Sequence, residues 1–155
     1  MATYVKPVVF RVGKEVFGVD INLVQSIEKQ VSVVPVPNSM EYIHGLINLR
    51  GEVVPVYNLK KKFSIPQDTQ AENMIIISAG EVKIALEVDE VLEINDIDPE
   101  KIVNMPVLAR TSDSRYLDRV AQVDNNLIIL LDVEKLLTED ETEGMKKITE
   151  QMQNA

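Results

Sequence analysis

The chain of 155 residues contains no cysteine and no tryptophan, one histidine, three phenylalanines and four tyrosines. Without cysteine there is no disulfide framework and no thiolate metal site, and a cytoplasmic setting is expected. A single histidine, His44, excludes the paired-histidine spacings of zinc hydrolases. Few aromatics leave little surface on which nucleic-acid bases could stack. A net charge of −9 offers no basic face, so neither nucleic acid nor an anionic membrane surface is an expected partner. No apolar run approaches the roughly 18 residues that a spanning helix needs, so no membrane insertion is expected. Met1 to Pro7 carries no apolar run of the signal-peptide kind.

Motifs that carry chemistry are also missing. There is no G-x-S-x-G, no P-loop and no G-x-G-x-x-G. The acidic pairs Asp96/Asp98 and Asp118/Asp124 stand in turn and loop sequence, where carboxylates act as caps or solvated charges. Asp96-Ile97-Asp98-Pro99-Glu100 lacks the glycine and terminal glutamate of a calcium loop. His44 has no neighbouring ligand cluster and is expected on the surface or at a helix end, beside Gly45. Catalysis, a metal and a cofactor are therefore not expected.

What is present is a β-branched core. Hydrophobic residues make up 45% of the chain, and valine, isoleucine and leucine dominate them. Strands are expected over Pro7–Val12, Glu15–Val19, Gln25–Val34, Asn73–Ala79 and Val82–Val88, with extension continuing to Asp98. The apolar run Met74–Ile77 implies burial on both faces of its strand. Asp20 is expected to cap one turn, Asn38 a short helix over Ser39–Ile43 closed by Gly45, and Asn58 a helix from Leu59. Pro35 and Pro37 confine their segment to an edge. Residues 64–72 are a polar gap, and 99–116 read as irregular. Leu117–Val123 and Leu127–Leu131 form a hairpin, and Asp132 opens a terminal helix with Met145, Ile148 and Met152 at helical spacing.

Two parts of the chain read alike. At an offset of 67, Gly13 matches Gly80, Phe17 matches Ile84, Val24 matches Val91 and Ile27 matches Ile94. At an offset of 74, Val56-Tyr57-Asn58-Leu59 matches Leu130-Leu131-Asp132-Val133. The pattern implies an all-β fold of two small barrels, each of about five short strands, sharing a joint core. The approximate limits are 14–64 for the first barrel and 73–131 for the second, with terminal segments completing them. Val24, Ile27, Val91 and Ile94 then stand at matching places beside the junction. They suit either the joint core or the floor of a groove that takes an apolar helix stripe.

The central stretch is Ile43 to Phe63. Leu46–Leu49 and Val53–Tyr57 flank Arg50-Gly51, a hairpin turn. Arg50 at its tip is either a solvated turn charge or a docking contact. Lys60-Lys61-Lys62 beside it reads as a solvated helix face or as a rim that steers an acidic partner.

Gly45, Asn48-Leu49-Arg50-Gly51, Val54-Pro55-Val56 and Leu59 resemble the G-x-x-N-L-R-G-x-x-x-P-V-x-x-L signature of the chemotaxis coupling family, CheW. Phe17-Gly18-Val19-Asp20-Ile21 with Val24, and Val88-Asp89 with Val91, resemble its other two patches, in order, so the likeness runs from about Val8 to Leu137. The resemblance implies two five-stranded SH3-like β-barrel subdomains with short helices and a C-terminal helix. It implies a non-enzymatic adaptor of receptor arrays at the inner face of the membrane. The partners it implies are the regulatory domain of the histidine kinase CheA and the cytoplasmic tip of methyl-accepting chemotaxis receptors. Asn48, Leu49, Arg50 and Gly51 become expected docking residues, and Val24, Ile27, Val91 and Ile94 an expected receptor groove. A regulatory scaffold of a related kinase pathway, or a small-ligand barrel, is the alternative.

Overall fold

The computed structural model describes residues 6–36, 41–66, 71–79, 82–94, 96–104, 117–123 and 126–153. Among them the strands are β1 (Pro7–Val12), β2 (Glu15–Asp20), β3 (Val24–Lys29), β4 (Ile43–Leu49), β5 (Glu52–Tyr57), β6 (Asn73–Ala79), β7 (Val82–Val88), β8 (Glu90–Ile94), β9 (Ile102–Asn104), β10 (Leu117–Val123) and β11 (Asn126–Leu131). The helices are α1 (Leu59–Lys62), α2 (Val133–Leu136) and α3 (Glu139–Gln153). The strands form two sheets, ordered β8-β1-β2-β11-β10-β9 and β3-β6-β7-β5-β4. The all-β class with short helices and a C-terminal helix is as expected.

The division between the two halves is not. Strands β6 and β7 pair with β3 and β5, so one sheet is built from residues 24–88. The other joins β1 and β2 to β8–β11. Limits of 14–64 and 73–131 are therefore replaced by an exchange: each repeat lends its first hairpin to the other's sheet. The reason lies in the bends after β2 and β7, which send the next strand to a different sheet.

Register shows that the repeat is real. Val9 faces Gly18, as Ile76 faces Ala85. Phe10 faces Val91, as Ile77 faces Val24. Gly18 pairs in parallel with Leu130, as Ala85 does with Val56. Ile43 faces Tyr57, as Leu117 faces Leu131, and both hairpins shift register just beyond that pair. Each of these correspondences follows the offsets read from the sequence.

Alternating side chains then sort into three apolar clusters, because successive residues of a strand point to opposite faces. Val8, Phe10, Ile75 and Ile77 enter a large cluster that holds residues of both sheets. Met74 and Ile76 enter a second, with Ile47, Val54, Val56 and Ala85, inside the 24–88 sheet. Val9 enters a third, with Ala121, Ile128 and Leu130, inside the other sheet. Met74–Ile77 is thus buried on both faces, and each such side chain contributes roughly 1.5–3 kcal/mol of transfer free energy.

Edge strands of each sheet are neighbours in sequence, β3 with β4 and β8 with β9. In the 24–88 sheet the link is visible: Val34 donates to the Leu46 carbonyl at 2.8 Å and accepts from the Leu46 amide at 2.9 Å. Gly45 makes this closure possible. A Cβ there would lie 2.3 Å from the Val34 carbonyl oxygen, with no room to yield.

Gly45 therefore sits in β4 and does not close a helix. The region expected as a helix over Ser39–Ile43 falls partly outside the described residues, and Ile43 begins a strand. His44 is likewise a strand residue, its Nδ1 2.7 Å from Glu87 Oε1. Strand β3 ends at Lys29, short of Val34. Of the stretch read as irregular, residues 99–101 form a 3-10 turn capped by Asp98, and 102–104 form β9. Its remainder, 105–116, lies outside the described residues. Asp132 caps α2 only, by accepting from Glu134 and Lys135. A capping box starts α3 separately: the Glu141 amide donates to Thr138 Oγ1, and the Thr138 amide to Glu141 Oε1, each at 3.0 Å.

Candidate docking site

Arg50 and Gly51 form the two-residue turn between β4 and β5, with φ of +50° and +87°. Two successive positive φ values match the primed hairpin turn whose twist suits flanking strands. Gly51 adopts this freely, whereas Arg50 bears some strain. Asn48 Oδ1 accepts from the Gly51 amide at 2.8 Å and stiffens the turn. Asn48 and Gly51 are thus the builders of the tip. Leu49 faces inward, packed partly on the cluster inside the 24–88 sheet.

The Arg50 side chain is 68% exposed but does not wave freely. Its Nη1 and Nη2 donate to Glu28 Oε1 and Oε2 at 3.3 and 3.2 Å, a two-pronged contact from β4–β5 to β3. Those hydrogen bonds, with a further one from Ser26, hold the Glu28 carboxyl below its ordinary pKa, and Glu28 holds the guanidinium above its own. The result is a positive group fixed at a sheet edge, with one face still open to solvent. Glu28 is not legible in the sequence as Arg50's partner, because nothing in a spacing of 22 residues signals a contact across an unpaired strand.

The expected groove residues divide. Val24 and Val91 are half-buried and pack on the cluster shared by the two sheets. Ile27, on the same face as Ile75 across the ladder, is 39% exposed. Ile94 pairs through its backbone with Val8, and its side chain lies outside those described. Val24 and Val91 are repeat-equivalent in the structure as in the sequence, since they face Ile77 and Phe10.

The lysine run also divides. Lys61 is exposed and Lys62 stands 4.7 Å above the Tyr42 ring, but Lys60 is buried, its Nζ 2.8 Å from Asp89 Oδ1. Asp89 Oδ2 accepts from the Gly13 amide at 2.6 Å, and Arg11 lies 3.7 Å away. The expected solvated face is therefore corrected at Lys60, which joins α1 to the β1–β2 turn and to the β7–β8 bend. Among the described residues no group of three or more His, Asp or Glu side chains is placed to hold a metal ion. No described helix is long and apolar enough to cross a membrane.

A family model described as a CheW-like domain matches residues 6–141. The chain is 33% identical over 135 residues to the chemotaxis protein CheW of Klebsiella aerogenes, covering 86% of this chain and 81% of that one. It is 29% identical over 133 residues to the chemotaxis protein CheW of Thermotoga maritima, covering 84% and 85%. The crystal structure of the scaffolding protein TtCheW from Thermoanaerobacter tengcongensis matches with a TM-score of 0.80 at 33% identity, over 90% of this chain and 91% of that chain.

Proposed function

The chain belongs to the CheW-like family and is a non-enzymatic chemotaxis scaffold, and on that premise we propose that it couples methyl-accepting receptors to the histidine kinase CheA. It does so at receptor arrays on the inner face of the membrane. The observation that carries this reading is the Arg50 turn. A docking cation needs a fixed position, and the ion pair with Glu28 and the Asn48 bond supply it within the motif by which the chain resembles the coupling family. In this reading the kinase regulatory domain docks on the sheet that carries Arg50. The receptor's helical tip lies in the groove at Val24, Ile27, Val91 and Ile94.

Separate titrations test the reading. The full chain is titrated against the CheA regulatory domain and against a soluble receptor tip fragment. Saturable binding of both, simultaneously, is expected. Binding of neither partner contradicts coupling, and binding of one alone reduces the chain to an accessory of that partner.

A further inference from the structure

The ion pair that fixes Arg50 also cancels its charge. Both Nη atoms donate to the two Glu28 oxygens, at 3.3 and 3.2 Å. These bonds hold the Glu28 carboxyl below its ordinary pKa, so at neutral pH the pair is fully ionised and carries no net charge. The other described charges near the tip do not redress the balance. Glu52, which faces Leu49 across the turn, is itself paired with Lys83 at 2.9 Å. Lys29 follows Glu28 on β3 and so points to the opposite face. The lysines of α1 stand beyond the far end of β5.

An acidic partner therefore gains little at this turn. A carboxylate that reaches the guanidinium also comes close to the Glu28 carboxylate. Repulsion then offsets attraction, while the cost of desolvating the carboxylate remains. A purely apolar partner fits no better. A guanidinium carries more N–H donors than one carboxylate accepts from, so Nε and the outer Nη hydrogens need acceptors once the exposed side chain is covered. Covering them without acceptors costs free energy. An uncharged carbonyl meets both conditions: it takes a charge-assisted hydrogen bond and brings no second negative charge to Glu28. Every residue of a partner offers a main-chain carbonyl, and those of a helix's last turn are left unpaired within the helix.

We propose that Arg50 docks against uncharged carbonyl oxygens of its partner, and that Glu28 is the positioning residue that selects them over a carboxylate. The inference rests on the coupling reading, in which the partner at this turn is the kinase regulatory domain. Such docking is nearly independent of salt, whereas attraction of an acidic surface is screened.

Calorimetry of the full chain with the CheA regulatory domain tests this at about 0.1 M and about 1 M salt, between which the screening length falls from about 10 to about 3 Å. The quantity read is the ratio of parent to Arg50→Ala affinity. A ratio of about tenfold is expected, changing by less than about twofold between the two salt concentrations. Glu28→Gln removes the acid and keeps its shape, and melting curves check its fold. It is expected to bind about threefold more weakly than the parent, because the guanidinium loses its fixed position. The inference is overturned if the ratio collapses towards one at high salt, if Glu28→Gln binds as tightly as the parent or more tightly, or if Arg50→Ala binds as the parent does. A parent chain that binds no kinase domain overturns the coupling reading and this inference with it. A parent that binds but fails these comparisons overturns the inference alone.

Discussion

Lys60 Nζ sits 2.8 Å from Asp89 Oδ1 with both side chains buried, the lysine from the end of one repeat and the aspartate from the middle of the other. The same carboxylate receives the Gly13 amide at the tip of the first hairpin. Three segments separated in sequence thus meet on one acid at the point where the hairpins are exchanged.

Removing one member of that cluster leaves a desolvated charge behind. Asp89→Ala is expected to destabilise the fold by about 3–5 kcal/mol, the range for breaking a buried pair from one side. Lys60→Ala falls in the same range, and the double variant costs less than the sum, because the two residues share one interaction. Urea unfolding of the four proteins measures this. A Lys60→Ala cost of about 0.5 kcal/mol or less, typical of surface positions, returns Lys60 to the solvated face read from the sequence.

Arg50→Ala removes a guanidinium from the surface, so thermal stability changes by about 0.5 kcal/mol or less. Kinase binding weakens by about 1–3 kcal/mol if Arg50 is a docking anchor, as calorimetry reports. Glu28 supplies an independent readout. Its carboxyl is held below the ordinary value by Arg50, so the pair's contribution to stability is complete above the unfolded pKa of about 4.3 and is lost as pH falls through the lower folded value. A carboxyl NMR titration detects the lowered value in the parent and its rise in Arg50→Ala. An unchanged Glu28 titration contradicts the pairing.

The groove separates into a residue that can be tested cleanly and residues that cannot. Ile27 is exposed enough that Ile27→Asp keeps the fold while placing a charge against the apolar stripe of a docked helix, where desolvation is costly. Receptor binding falls and kinase binding largely survives. Val91→Asp instead introduces a carboxylate beside the shared cluster and lowers stability. Circular dichroism and two separate titrations distinguish these outcomes. A folded Ile27→Asp that binds receptor normally moves the receptor site elsewhere.

Much of this fold was legible because the repeat is written in residues with definite geometric roles. Gly13 turns the first hairpin, Asn58 and Asp132 both cap helices, and the offsets 67 and 74 reproduce the observed ladders. The exchange of hairpins was not legible, since β2 and β7 read the same whichever sheet they join. Gly45 misled for a related reason: a glycine that admits a carbonyl looks, in sequence, like one that ends a helix. At the candidate site the turn was readable from Arg50-Gly51. Its brace was not, because Glu28 reaches it through tertiary placement alone, and Lys60 was hidden by its exposed neighbour Lys61.

The most direct measurement of the coupling role is kinase activation in a reconstituted mixture of receptor-containing membranes and CheA. Autophosphorylation of CheA should rise many-fold only when the chain is added, and the rise should be reduced by Arg50→Ala and by Ile27→Asp. His44→Ala should activate like the parent, since His44 is a partly exposed strand residue whose Nδ1 pairs with Glu87. If the kinase reaches the same activity without the chain, or gains none when the folded chain binds both partners, the coupling account is contradicted.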